Sequence, residues 1–155
     1  MTDGSDLPIA LRAAYLALHR RSEARFARHG VTADQFVLLA SLARGGHALT
    51  QRELARRMGS DPSTVRAMLV LLEKRGLVSR ETHPTDGRAR TVALTAVGQR
   101  KFRQAWKAGQ AIRDQMVSSL SDTESRLLVK LLGRVSKSLA DATTVLAAAS
   151  NANAN

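Results

Sequence analysis

Residues 50–76, TQRELARRMGSDPSTVRAMLVLLEKRG, carry helix start and stop signals so closely spaced that they leave little freedom. Thr50 is placed to cap a helix, and Glu53, three residues on, closes a capping box. Leu54 and Met58 give that helix an i, i+4 apolar contact. Gly59 supplies the left-handed residue that ends it. Asp61 then opens a second helix with Pro62 at its first position, where a missing N–H costs nothing. Val65, Met68, Leu69 and Leu72 form its buried stripe. Ser63, Thr64, Arg66 and Ala67 lie on the other side of its first two turns. Gly76 and Leu77 read as a Schellman-type stop with its hydrophobic follower.

A short capped helix, a tight turn and a second helix with a small polar leading face is the pattern of a helix-turn-helix. A reading helix enters a major groove roughly 12 Å wide, so bulky apolar groups near its start would be a liability. The alternative is an ordinary helical hairpin inside a bundle, and residues 77–94 weigh against it. After Gly76 the apolar period changes from 3.6 to 2. Residues 77–82 and 88–94 read as two strands, joined by His83-Pro84-Thr85-Asp86-Gly87, with Asp-Gly as the hairpin signal. On the second strand Arg90, Val92 and Leu94 share one face, and Ala89, Thr91 and Ala93 the other. A two-stranded hairpin is marginal alone and must lie on something. Directly after a helix-turn-helix it reads as a wing, with Arg88 at its tip and Arg80 and Arg90 at its base, suited to phosphates or a minor groove. Asp86 either steadies Arg88 or is there for turn chemistry alone.

The formal net charge of +11 points to an anionic partner, nucleic acid before membrane surface. Residues 44–90 hold ten Lys/Arg against five Asp/Glu, and residues 95–155 hold nine against four. The excess is therefore spread along the chain. Aromatic residues are only 3%, which argues against a base-stacking single-strand or RNA platform. There is no cysteine, and the four histidines have no partners at metal-ligand spacing. No cofactor and no metal are expected. The absence of a signal-peptide pattern or of an apolar run long enough for a bilayer leads to a cytoplasmic protein as the expectation.

The rest of the chain reads as helix. Leu7 to about His29 is one long helix with Leu7, Leu11, Ala14, Leu18 and Phe26 on a face. Thr32 and Gln35 form a capping box for the next, whose stripe is Phe36, Leu39 and Leu42 or Ala43, and Gly45-Gly46 ends it. Leu49 reads as a staple residue leading into Thr50. Thr95 caps a helix to about Ser118, with Phe102, Ala105, Gly109, Ile112 and Met116 in line. Ser121 and Glu124 open a last helix with Leu127, Leu128, Leu131, Leu132, Val135, Leu139 and Ala142 inward. Residues 1–6 read as frayed and 148–155 as a disordered low-complexity tail. The first and last helices each carry an apolar stripe that one small winged unit cannot cover. A homodimer in which they interlock is the economical answer, against a monomeric bundle that covers them internally.

With these residues in hand the chain resembles the MarR-type winged-helix transcription regulators. The likeness rests on LTQRELARRMGSDPSTVRAMLVLLEKRGLVSRE and PTDGRARTVALTAVGQ, above all LEKRGLV (72–78), Asp86 to Ala89, Leu94-Thr95 and Gly98. It implies a mainly α fold with a small β-hairpin wing: a single domain over 1–147, with the winged helix-turn-helix at about 32–94 and dimerisation helices at about 7–29 and 96–147. It implies an obligate homodimer on a pseudo-palindromic double-stranded operator, with residues 61–75 as recognition helix. By position, Ser63, Thr64 and Arg66 match the groove contacts and Arg88 the wing-tip arginine, with Asp86 bracing it. Thr50 and Gln51 match the helix start that meets a phosphate. Val70 and Leu71 depart from the family's more polar pattern, pointing to a less base-specific far end or to extra packing.

The resemblance also implies a repressor released by a small anionic aromatic or phenolic effector. Arg12, Tyr15 and His19 share a helix face and suit a carboxylate, or else are an ordinary flank of the dimer seam. Trp106 either lines that pocket or is plain core. The competing function class is a non-specific architectural DNA-binding protein, favoured by the spread charge. No catalytic triad, phosphate-binding glycine loop or carboxylate pair stands in a convincing frame, so an enzyme is not expected.

Overall fold

The computed structural model describes residues 4–46, 48–83 and 85–152, the last eleven by backbone alone. It divides into two units, residues 1–112 and 113–155. After a 3-10 turn at Gly4–Asp6 come α1 (Leu7–Ala27), α2 (Ala33–Arg44), β1 (Leu49–Thr50), α3 (Gln51–Met58), α4 (Pro62–Lys74), β2 (Val78–Thr82), β3 (Arg90–Leu94), α5 (Ala96–Ala108), α6 (Gln110–Val117) and α7 (Asp122–Ala152). This is a mainly helical chain with a small antiparallel sheet.

Helix starts follow the local chemistry. Thr32 accepts the Gln35 N–H while Gln35 accepts the Thr32 N–H, and Thr50 and Glu53 repeat the exchange. Ser121 and Glu124 do the same at α7. Stops are equally local. Gly59 and Gly76 take φ of +61° and +69°, where a Cβ would be strained. At Gly76 the N–H reaches Glu73 O and the Leu77 N–H reaches Leu72 O, both at 2.9 Å, which is the Schellman pair.

The core of the first unit lies where α2, α3, α4 and the sheet meet. Leu38, Leu39, Leu49, Leu54, Val65, Leu69 and Leu72 are fully buried. Phe26 stacks on Phe36 at 4.2 Å between centroids, and Phe102 and Trp106 extend the cluster. On α2 the core residues are Leu38, Leu39 and Leu42, with Phe36 half-buried and Ala43 exposed.

The sheet has three strands in the order β1-β3-β2, not two. Leu49 and Thr50, read above as a staple and a cap, also pair with Val92 and Thr91. That makes β3 the central strand, so Thr91 and Val92 are both buried despite facing opposite ways.

Three further differences concern the helices. The helix expected to run unbroken to Ser118 stops at Gly109. There the Ile112 N–H turns to Gly109 O at 3.1 Å, and the freed Ala108 carbonyl accepts Arg25 Nε at 2.9 Å. In return Lys101 of α5 donates to His29 O at the end of α1, at 3.1 Å. Each helix thus lends a cation to the other's last carbonyls, where the dipole favours one. Second, α7 continues to Ala152, five residues into the segment read as tail, as its alanine content favours; residues 153–155 lie outside the described residues, as do 1–3. Third, the stripe read as inward on α7 is exposed in the single chain: Leu127, Leu128, Leu131, Leu132 and Leu139 are each at least 39% exposed. Of that stripe Val135 alone is half-buried. The side chain of Ala142 lies outside the described residues. Leu7, Ile9 and Tyr15 on α1 are exposed as well.

Candidate nucleic-acid interface

α4 offers one exposed edge. Val65, Leu69 and Leu72 are buried and Met68 half-buried, while Ser63, Thr64, Arg66, Ala67, Val70 and Leu71 are exposed. Exposure of Val70 and Leu71 excludes the extra packing considered above within this chain. The helix start is held by Asp61, whose Oδ2 accepts the Thr64 N–H at 3.1 Å and the hydroxyls of Ser63 and Thr64. Both hydroxyls therefore spend their protons on Asp61 and turn lone pairs outward. Arg66 is exposed and makes no hydrogen bond or ion pair among the described residues.

The Ser63 hydroxyl, then the Thr64 N–H, hold the Asp61 carboxyl below the usual aspartate range. A folded pKa below the unfolded one gives stability that is present above the unfolded value, about 3.9, and is lost as pH falls through the folded value. Asp61→Ala should therefore melt below the parent at neutral pH, with the gap narrowing as pH falls through the folded value. Parallel melting curves followed by circular dichroism across that range check this; a constant gap would refute it.

α3 starts differently from a free anion site. Glu53 Oε2 accepts the Thr50 N–H at 2.7 Å and the Thr50 hydroxyl at 2.9 Å. A carboxylate thus already sits at this helix N-terminus, and the N–H groups of Gln51 and Arg52 are the ones left for a phosphate.

The wing loop spans residues 83–89, two residues longer than the 83–87 turn expected from its Asp-Gly signal. Gly87 has no positive φ, which that turn would need. Instead the His83 ring organises it. Nδ1 accepts the Thr85 and Asp86 N–H groups at 3.2 Å each, and the His83 N–H closes on Ala89 O at 2.9 Å. Pro84 lies outside the described residues. Asp86 Oδ1 accepts the Arg88 backbone N–H at 3.0 Å. The acid steadies the main chain beneath Arg88, and no ion pair to the guanidinium forms among the described residues. Arg88 and Arg90 are exposed. Arg80 differs: its Nε lies 3.1 Å from Glu73 Oε2 at the end of α4, and its Nε and Nη2 are buried without an aligned hydrogen bond. Sequence alone groups Arg80 with the wing's basic residues because the pairing across the α4–β2 junction is tertiary.

The four residues considered for a small ligand fall in two places. Tyr15 and His19 stack at 5.5 Å between centroids, with Arg12 exposed one turn before. Trp106 belongs to the Phe36–Phe102 cluster, with the Arg44 guanidinium 5.2 Å above its ring. A separate open cleft of about 430 Å³ is lined by Leu42, Leu94, Phe102, Gln99 and Arg103 among others; none of the four sequence candidates lines it. Among the described residues no cluster of metal-ligating side chains forms, and no helix is long and apolar enough to cross a membrane.

Known proteins resemble this chain in sequence and in fold. A MarR family model matches residues 29–89. The HTH-type transcriptional repressor MdtR of Bacillus subtilis is 32% identical over 120 residues, 77% of either chain. The structure of a mutant MarR from Escherichia coli complexed with operator DNA superposes with a TM-score of 0.72 at 25% identity, covering 87% of this chain and 98% of that one. NadR in complex with 4-hydroxyphenylacetate gives a TM-score of 0.77 at 26% identity, covering 84% and 92%. The chain belongs to the MarR family of winged helix-turn-helix transcription regulators.

Proposed function

We propose that this regulator binds a pseudo-palindromic duplex as a homodimer, with α4 in the major groove and the wing on the flanking backbone or minor groove. The observation that carries this is the pair of exposed basic elements on one core: Arg66 on the outward edge of α4, and Arg88 with Arg90 on the wing. Ser63 and Thr64 meet base edges or phosphates beside Arg66, and the first-turn N–H of Gln51, next to the capped Thr50, takes a phosphate. Asp86 fixes the backbone that presents Arg88. The exposed leucine stripe of α7 and the exposed apolar residues of α1 supply the dimer seam, so light scattering should give twice 16.7 kDa.

In this reading the protein is a repressor released by a small anionic aromatic compound, as the complex of NadR with 4-hydroxyphenylacetate suggests. The Tyr15–His19 stack would take the ring and Arg12 the carboxylate. Release of the bound duplex on addition of 4-hydroxyphenylacetate checks this part of the reading.

The test is a titration against a labelled duplex from upstream of its own gene and a scrambled one, at two salt concentrations. Saturable binding to the first alone, with half-sites about 10 bp apart, supports a specific regulator. The spread of positive charge favours a second reading, an architectural DNA-coating protein. Equal, steeply salt-dependent binding to both duplexes and to random-sequence duplex would support that one.

A further inference from the structure

The outward face of α4 is not polar along its length. At about 100° per residue, the direction opposite Val65, Leu69 and Leu72 falls on Ser63, Ala67, Val70 and Lys74. The centre line thus runs hydroxyl, methyl, isopropyl, ammonium, with Arg66 on one flank. Val70 is 52% exposed. A β-branched residue in a helix loses rotamer freedom, and here burial in the chain returns little of it. Single exposed apolar residues are common on any surface. Here it does not stand single: Val70 and Leu71, the latter 53% exposed, lie side by side on the face that the proposed function puts in the groove, with Arg66 and Lys74 beside them and the Ala67 methyl a turn earlier.

An isopropyl group offers no hydrogen bond. Set against a cytosine amino group or a guanine O6, it would strip water from a polar edge and leave that edge unpaired, at a cost. The major groove holds one apolar feature to match it, the C5-methyl of thymine. We infer that Val70 is a specificity-determining residue that reads a thymine methyl in each half-site, with the small Ala67 letting the helix come close enough. This rests on the proposed duplex-binding function and assigns part of its sequence preference. The apolar far end of α4 is then a reading element for A·T pairs.

The experiment starts from random duplexes selected on the parent protein. In the selected duplex each thymine is replaced in turn by deoxyuridine, which lacks only the methyl, and affinity is read by fluorescence anisotropy. At least one replacement per half-site should weaken the parent about fourfold, the weight of one buried methyl-sized group. Val70→Ala, a surface change that circular dichroism should show folded, should bind the thymine duplex more weakly and lose most of that difference. A parent indifferent to every replacement, or a Val70→Ala variant that keeps the full fourfold difference, would overturn the inference while leaving specific binding intact. A selection that returns no consensus sinks the specific-regulator reading and this inference together.

Discussion

Gly98→Ala is expected to lower the melting temperature by about 5–10 °C, although alanine is the better helix former. A Cβ at Gly98 would stand 1.9 Å from the Leu77 carbonyl oxygen and 2.9 Å from its carbon. Both are backbone atoms, so no side chain can swing away. α5 would have to retreat, yet its start is tied to the same segment. The Thr95 N–H donates to Leu77 O at 3.2 Å, the Thr95 hydroxyl to Gly76 O at 2.6 Å, and the Gly98 N–H to Thr95 Oγ1 at 3.0 Å. Overpacking of this kind costs about 1–3 kcal/mol, and each anchoring bond lost adds about 1 kcal/mol. The propensity gain of about 1 kcal/mol does not offset them. Gly133→Ala is the control, since a Cβ there meets nothing within 4 Å. A Gly98→Ala protein as stable as the parent in calorimetry would rule out the close approach.

Arg66→Ala should cost about 10- to 100-fold in affinity for the selected duplex and little for random duplex, as the loss of a base contact would. Arg88→Ala should weaken both duplexes alike and flatten the salt slope by about one unit, as the loss of a phosphate contact would. Neither guanidinium has a partner among the described residues, so both variants should melt like the parent. Arg80→Ala makes the contrast. It leaves the Glu73 carboxylate without its cation at the α4–β2 junction and should lower the melting temperature as well. Anisotropy titrations over a salt series separate these cases. Parent-like binding by Arg66→Ala or Arg88→Ala would remove that residue from the interface.

The order of elements and nearly every helix start were legible in the sequence because caps are local. Thr50 with Glu53, and Asp61 with Pro62, need nothing beyond four residues. What escaped depended on distant chain. Leu49–Thr50 becomes a strand only because β3, some forty residues on, offers it an edge. The break at Gly109 is stabilised by Arg25, 83 residues before Ala108. The wing loop departs from an Asp-Gly turn because a side chain, His83, replaces backbone as the acceptor. For the candidate site, residue types were legible but their free or engaged state was not. Arg80 and Arg88 look alike in sequence, yet Glu73 engages one and leaves the other exposed.

The exchange of cations between α1 and α5 also has a mechanical meaning. Arg25 reaches Ala108 and Lys101 reaches His29, so the later point on the first helix meets the earlier point on the second. Two such cross-ties fix the register of an antiparallel pair as two pins fix a hinge plate. A slide of one helix along the other strains both bonds at once, since they run to opposite ends of the pair, whereas a small roll about the shared axis changes their lengths less. Shear between these helices is therefore the costly motion and rotation the cheap one.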